Sequence, residues 1–77
     1  PSLSRKAEDF EIGTYRHYKG NLYVAMAVGR NEETMEVVVI YQALYGEEYI
    51  WVRPLSIFTE IITVKGKKQP RFEHVDD

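Results

Sequence analysis

Leu22-Tyr23-Val24-Ala25-Met26-Ala27-Val28 and, beyond a polar break, Met35-Glu36-Val37-Val38-Val39-Ile40-Tyr41-Gln42-Ala43-Leu44 decide the fold. Both are rich in the β-branched and aromatic side chains that suit a pleated surface. The first alternates, with Leu22, Val24, Met26 and Val28 on one face and Tyr23, Ala25 and Ala27 on the other. The second is almost continuously apolar from Val37 to Tyr41, which predicts a strand covered on both faces or strongly curved. Gly29–Thr34 between them reads as a polar loop.

Working outward, Ile12–Tyr18 reads as a first strand, and Lys19-Gly20-Asn21 as a turn, because Gly and Asn accept positive φ at little cost. Downstream, Gly46-Glu47-Glu48 interrupts the pattern and Tyr49–Arg53 reads as a fourth strand. Pro54 ends it by removing a ladder donor. Leu55-Ser56-Ile57-Phe58 suits a single 3₁₀ turn, and Glu60–Val64 a fifth strand. Lys65-Gly66-Lys67-Lys68 reads as a turn, and Gln69–Val75 as a terminal strand. Residues 1–11 are expected to form a tail with at most one helical turn over Arg5–Phe10, capped by Ser4. Residues 12–75 are expected to form one domain.

Short strands joined by tight turns indicate a sandwich or a small barrel, and closure would remove exposed sheet edges. The predicted architecture is therefore all-β: a small SH3-like barrel of about five strands, with one short 3₁₀ turn near Leu55–Phe58. An open curved sheet with a helix across it is the alternative.

Composition narrows the chemistry. In 77 residues a single domain is expected, and a core this small leaves a thin margin of stability. There is no cysteine, which excludes disulfides and thiolate metal sites; a reducing cytoplasm is the expected setting. The core must come from apolar packing, and the chain is 44% hydrophobic and 13% aromatic. Ten basic and twelve acidic residues give a net charge of −2, which disfavours nonspecific nucleic-acid binding but permits a local basic patch. No apolar run approaches the roughly 20 residues that span a bilayer, and Pro1–Glu11 lacks the apolar stretch of a signal peptide. A membrane partner is not expected.

Four ordered segments carry a family resemblance: Gly13-Thr14-Tyr15-Arg16-His17-Tyr18-Lys19-Gly20-Asn21-Leu22-Tyr23; Tyr41-Gln42-Ala43-Leu44-Tyr45-Gly46; Trp51-Val52-Arg53-Pro54-Leu55; and Val64 through Phe72, with Gly66 and Pro70-Arg71-Phe72. Together, over roughly residues 12 to 75, the chain resembles a family of small bacterial proteins catalogued as domain of unknown function 1653. The resemblance implies an SH3-like barrel and supplies no activity. In that family the loop after the second strand often carries His and then Ser or Thr after its arginine. Here Asn31 and Glu32 follow Arg30, which argues against a ligand role for the loop.

The residues most suggestive of recognition are aromatic groups with basic neighbours: Tyr15, His17, Tyr18, Tyr23, Tyr45, Tyr49, Trp51 and Phe72 among Arg16, Lys19, Arg53 and Arg71. A shallow aromatic groove can hold an extended peptide or stack unpaired bases, with cations engaging carboxylate or phosphate. Alternation sets Tyr49, Trp51 and Arg53 on one face of the fourth strand and Ile50 and Val52 on the other. With the aliphatic face taken as core, Tyr49, Trp51 and Arg53 are expected to lie outward or near a rim. Trp and Arg are enriched at binding hot spots, so Tyr18, Tyr45, Trp51 and Arg53 are the expected ligand-binding set for a protein or peptide partner. Arg16, Lys19 and Arg71 are the set for a nucleic-acid alternative. The same aromatics also suit a purely structural role, with Arg53 stacked on Trp51 or paired with Glu47 or Glu48.

Catalysis is not expected. The serines, Ser2, Ser4 and Ser56, have no recognisable base partner, and Glu47-Glu48 reads as a solvated loop pair. His17 and His74 lack the companions of a metal site, the five glycines are dispersed as turn residues, and no cofactor is expected. Lys65, Lys67 and Lys68 suit solubility at a hairpin tip.

Overall fold

A computed structural model describes residues 9–75. The proposed Ser4-capped turn falls largely outside the described residues. Seven strands form in chain order: β1 Gly13–His17, β2 Leu22–Arg30, β3 Val37–Ala43, β4 Ile50–Pro54, β5 Ile61–Val64, β6 Lys67–Pro70 and β7 Phe72–His74. Among the described residues one helical turn, α1, spans Leu55–Phe58 between β4 and β5. The chain is all-β, as its β-branched and aromatic runs predict.

The strands make two antiparallel sheets, one ordered β4-β3-β2-β1-β7 and one pairing β5 with β6. They do not close into a barrel, so the closure expected from edge protection is absent: β4 and β7 are free to be edges of the larger sheet. The sheets are stitched at Arg71, whose N–H donates to Glu60 O (2.9 Å) while its carbonyl accepts from Tyr18 N–H (2.9 Å). The expected terminal strand divides at this residue into β6 and β7. The expected four-residue turn contracts to Lys65-Gly66, both at positive φ (51° and 81°). Two central residues at positive φ match the right-handed twist of a tight hairpin, so Lys67 and Lys68 belong to β6. The turn expected as 3₁₀ is α-type, since Thr59 N–H donates to Leu55 O (2.9 Å).

A β-bulge reorganises the faces. In β2, Ala25 lies opposite Tyr41 but Ala27 lies opposite Ile40, so one extra residue enters at Met26. Strict alternation places Leu22, Val24, Met26 and Val28 together; the bulge breaks that set. Val28 pairs with fully buried Val39 on the inner face, whereas Val24 pairs with Gln42 on the outer one.

The core lies on the inner face under α1. Phe58, 1% exposed, stacks on Phe72 with ring centroids 4.1 Å apart and planes 3° from parallel. Tyr15 and Tyr41 meet Phe58 edge-on at 5.2 and 5.3 Å, and Leu55 and Ala25 fill the remainder. Edge-to-face and offset pairs add favourable quadrupole contacts to apolar burial. Phe10 stacks on Tyr15 (5.5 Å, 4°), and the Tyr15 hydroxyl donates to Glu11 O (2.6 Å). The segment just before β1 is thus packed onto the core. No helix among the described residues is long and apolar enough to cross a membrane.

Candidate recognition cleft

The register of β3 and β4 determines which side chains converge. Tyr41 lies opposite Trp51 and Val39 opposite Arg53, and directly opposed residues in an antiparallel pair share a face. Val39 and Tyr41 are core residues, so Trp51 and Arg53 belong to the inner face. This inverts the sequence expectation: the aliphatic side chains of β4 are outside, with Ile50 60% and Val52 62% exposed. The inference failed because β4 extends past the core. Its inner side chains reach a cleft instead of the solvent side of a closed barrel, and its aliphatic face has nothing packed over it.

Tyr23, Tyr41, Tyr45, Trp51 and Arg53 line this cleft, of about 230 Å³. Tyr23 and Tyr41 come from the middle strands. Tyr45 comes from the turn after β3, where Gly46 sits at φ 61° and Glu48 N–H closes back onto Tyr45 O (3.1 Å). The Tyr23 and Tyr45 hydroxyls share a 2.6 Å hydrogen bond. Burial, followed by that bond, pushes the Tyr23 phenol up to about 12. Arg53 Nε donates to the Tyr41 hydroxyl (3.2 Å), and the guanidinium carbon lies 5.9 Å from the centre of the Phe72 ring. Trp51 meets Tyr49 edge-on at 6.0 Å and stays 50% exposed.

Arg53 pairs with no carboxylate among the described residues. Glu47, one candidate partner, instead accepts a short hydrogen bond from the Tyr49 hydroxyl, and the backbone carbonyl of Glu48 accepts from Gln42 Nε2 (3.1 Å). Other carboxylates are engaged elsewhere: Glu60 pairs with Arg71 (2.6 Å), and Glu11 Oε2 lies 3.6 Å from His74 Nε2. The cleft therefore holds a partly buried cation whose contacts among the described residues are a phenol oxygen and an aromatic face.

His17 lies beside the cleft, its ring 6.2 Å from Tyr23 and 4.9 Å from Phe72. Its Nδ1 accepts the Lys19 N–H (3.2 Å). Burial first, then the charges of Arg53, Lys19 and Arg71, lower its pKa from 6.5, which favours the neutral ring at pH 7.

Of the expected peptide-binding set, the structure brings together Tyr45, Trp51 and Arg53. Tyr18 stands apart: it packs on His17 at 4.5 Å and lines a separate hollow with Arg16, Gln69 and Glu73. The nucleic-acid set lies outside the cleft, around Tyr18 and His17. Arg16 lies opposite Leu22 and Glu73 on the outer face, Lys19 sits over the Tyr18 ring at 5.8 Å, and Arg71 is held by Glu60. Tyr41 was absent from the sequence-derived set. It was hidden inside the run Val37–Tyr41, yet it is the one residue there with a polar tip, and its pairing with Trp51 puts that tip in the cleft. No cluster of three His, Asp or Glu side chains suited to a metal occurs among the described residues.

Comparison with known proteins agrees with the resemblance drawn from the motifs. A family model described as protein of unknown function (DUF1653) matches residues 13–74. The crystal structure of a protein of that family from Bordetella bronchiseptica is similar with a TM-score of 0.84 and 42% identity, covering 90% of this chain and 91% of that one. No curated protein matches. The matched span runs from the first residue of β1 to the last of β7 and takes in every residue of the cleft, and on this ground the chain belongs to the DUF1653 family.

Proposed function

We propose that this protein is a cytoplasmic, noncatalytic binding module that recognises a peptide segment of a partner protein in the Tyr23–Tyr41–Tyr45–Trp51–Arg53 cleft. One observation carries the reading: the Arg53 guanidinium sits in a tyrosine-walled cleft beside a half-exposed Trp51, with no carboxylate partner among the described residues. Burying part of a cation without a counter-charge is costly, and a ligand carboxylate would offset that cost. Trp and Arg are also enriched among the residues that anchor protein interfaces. The cysteine-free composition fits a reducing compartment.

Trp51 is the only tryptophan, so its fluorescence and its indole N–H resonance report on the cleft directly. Titration with acidic and basic peptides and with short single-stranded RNAs at low salt should move the Trp51 indole and the Tyr45 and Arg53 resonances with an acidic peptide. A clustered response to RNA alone, weakening steeply with salt, would replace the peptide reading with the nucleic-acid one. No response at the indole to any ligand would refute the cleft as a site.

A further inference from the structure

The hydrogen-bond phase of β4 adds a second kind of recognition to the cleft. Ala43 N–H donates to Tyr49 O (3.0 Å), which makes those two residues a hydrogen-bonded pair. In an antiparallel ladder such pairs recur every second residue. Tyr41–Trp51 and Val39–Arg53 are therefore the next bonded pairs, and the main-chain groups of Ile50 and Val52 point away from β3. Among the described residues no strand lies beyond β4 in the sheet. Pro54 occupies the next outward position, where its missing N–H costs no ladder bond.

Natural edges are usually blunted by inward charges, bulges, extreme shortness or a covering element. The two edges of this sheet differ in this respect. β7 has three residues with Glu73 at its centre, whereas β4 has five, its inward charge and its proline confined to Arg53 and Pro54 at its C-terminal end, and Ile50, Trp51 and Val52 are all at least half exposed.

We propose that β4 is a strand-addition edge: an extended acidic segment of a partner protein pairs with it as a sixth strand of the sheet. The proposal rests on the cleft reading above and specifies its ligand. Beside such a strand, Trp51 and Arg53 occupy non-hydrogen-bonded positions, where opposed side chains lie closest. The ligand residue opposite Arg53 meets an uncompensated guanidinium and should be Asp or Glu. The residue two positions away meets Trp51 and should be aromatic or aliphatic. The residue between them falls on the outer face next to Val52 and should be β-branched. The motif is thus acidic–apolar–aromatic in antiparallel pairing, and the main chain supplies the remaining affinity.

The test uses three peptides against the full chain: Ac-Thr-Glu-Val-Tyr-Val-NH2, the same peptide with Lys for Glu, and the same peptide N-methylated at its central Val. Amide hydrogen exchange and NMR shifts are read together. The expected result is slowed exchange of the Ile50 and Val52 amides with the Glu peptide, a shifted Trp51 indole, and binding at least about tenfold weaker for the Lys and N-methylated peptides, the factor that about 1.4 kcal/mol represents. Indole shifts with unprotected Ile50 and Val52 amides would overturn strand addition while leaving the cleft reading intact. Silence at both would overturn both. Protection of those amides in the peptide-free protein, growing with protein concentration, would replace the partner segment with a second copy of this chain.

Discussion

The inner face of the sheet has a sealed end and an open end, and each holds an arginine. At the sealed end Phe58 and Phe72 are stacked and buried, and Arg71 reaches Glu60 at 2.6 Å. At the open end Trp51 is half exposed, and Arg53 has a phenol hydroxyl where Arg71 has a carboxylate. The charge of Arg71 is answered within the chain, although its Nε is buried without a hydrogen-bond partner. That of Arg53 meets no carboxylate among the described residues. On the proposed reading, aromatic and basic residues adjacent in sequence divide into packing and recognition according to whether the fold supplies a counter-charge.

The most damaging test of this division is Phe58→Ala. Truncating an aromatic at the centre of the core should cost about 3–5 kcal/mol, enough to unfold much of so small a domain. Thermal or urea unfolding would show it, and a loss under about 1 kcal/mol would mean the sealed end is not the core.

Arg71→Gln should cost less, about 1–2 kcal/mol, because it exchanges a charge-assisted bond for a neutral one at a partly exposed position. Arg53→Gln should barely alter stability, by about 0.5 kcal/mol or less, yet should weaken acidic-peptide binding about tenfold. Measuring melting and Trp51 fluorescence titrations on both variants sets the two arginines side by side. If Arg53→Gln destabilised as much as Arg71→Gln, the open end would be structural after all.

A subtler effect concerns His17, whose pKa lies below 6.5 because of burial and then Arg53. The folded state binds this proton less readily than the unfolded chain does. The contribution to stability is thus fully present above pH 6.5 and is lost as pH falls below that value towards the folded pKa. Arg53→Gln removes one cause, so the His17 titration followed by NMR should move up towards 6.5. An unmoved curve would show that the guanidinium charge is not felt across the cleft.

Smallest in reach is the Tyr23–Tyr45 hydroxyl pair. Tyr45→Phe removes the bond that helps hold Tyr23 at about 12, and ultraviolet titration should find Tyr23 ionising at lower pH. Because the folded pKa exceeds 10, the stability tied to this phenol is present below pH 10 and is lost as pH rises towards 12.

Much of this was legible in the chain. Short β-rich runs separated by Gly and Asn turns indicated the strands, because local backbone preferences act over a few residues. The proximity of Tyr45, Trp51 and Arg53 also followed, since a hairpin brings residues across its turn together. The orientation of β4 did not. Alternation assigns residues to two faces without saying which one is covered, and covering depends on where α1 and β7 dock.

The amino-acid order by itself determined an all-β, cysteine-free chain whose apolar and aromatic groups must make the core. Tertiary structure alone decided three things: the bulge at Met26 that moved Val28 to the inner face, the open sheet that left β4 as an edge, and which arginine received a carboxylate. All three depend on contacts between residues distant in the chain. Those contacts are set by which faces pack against each other in three dimensions, and local preference carries no record of them.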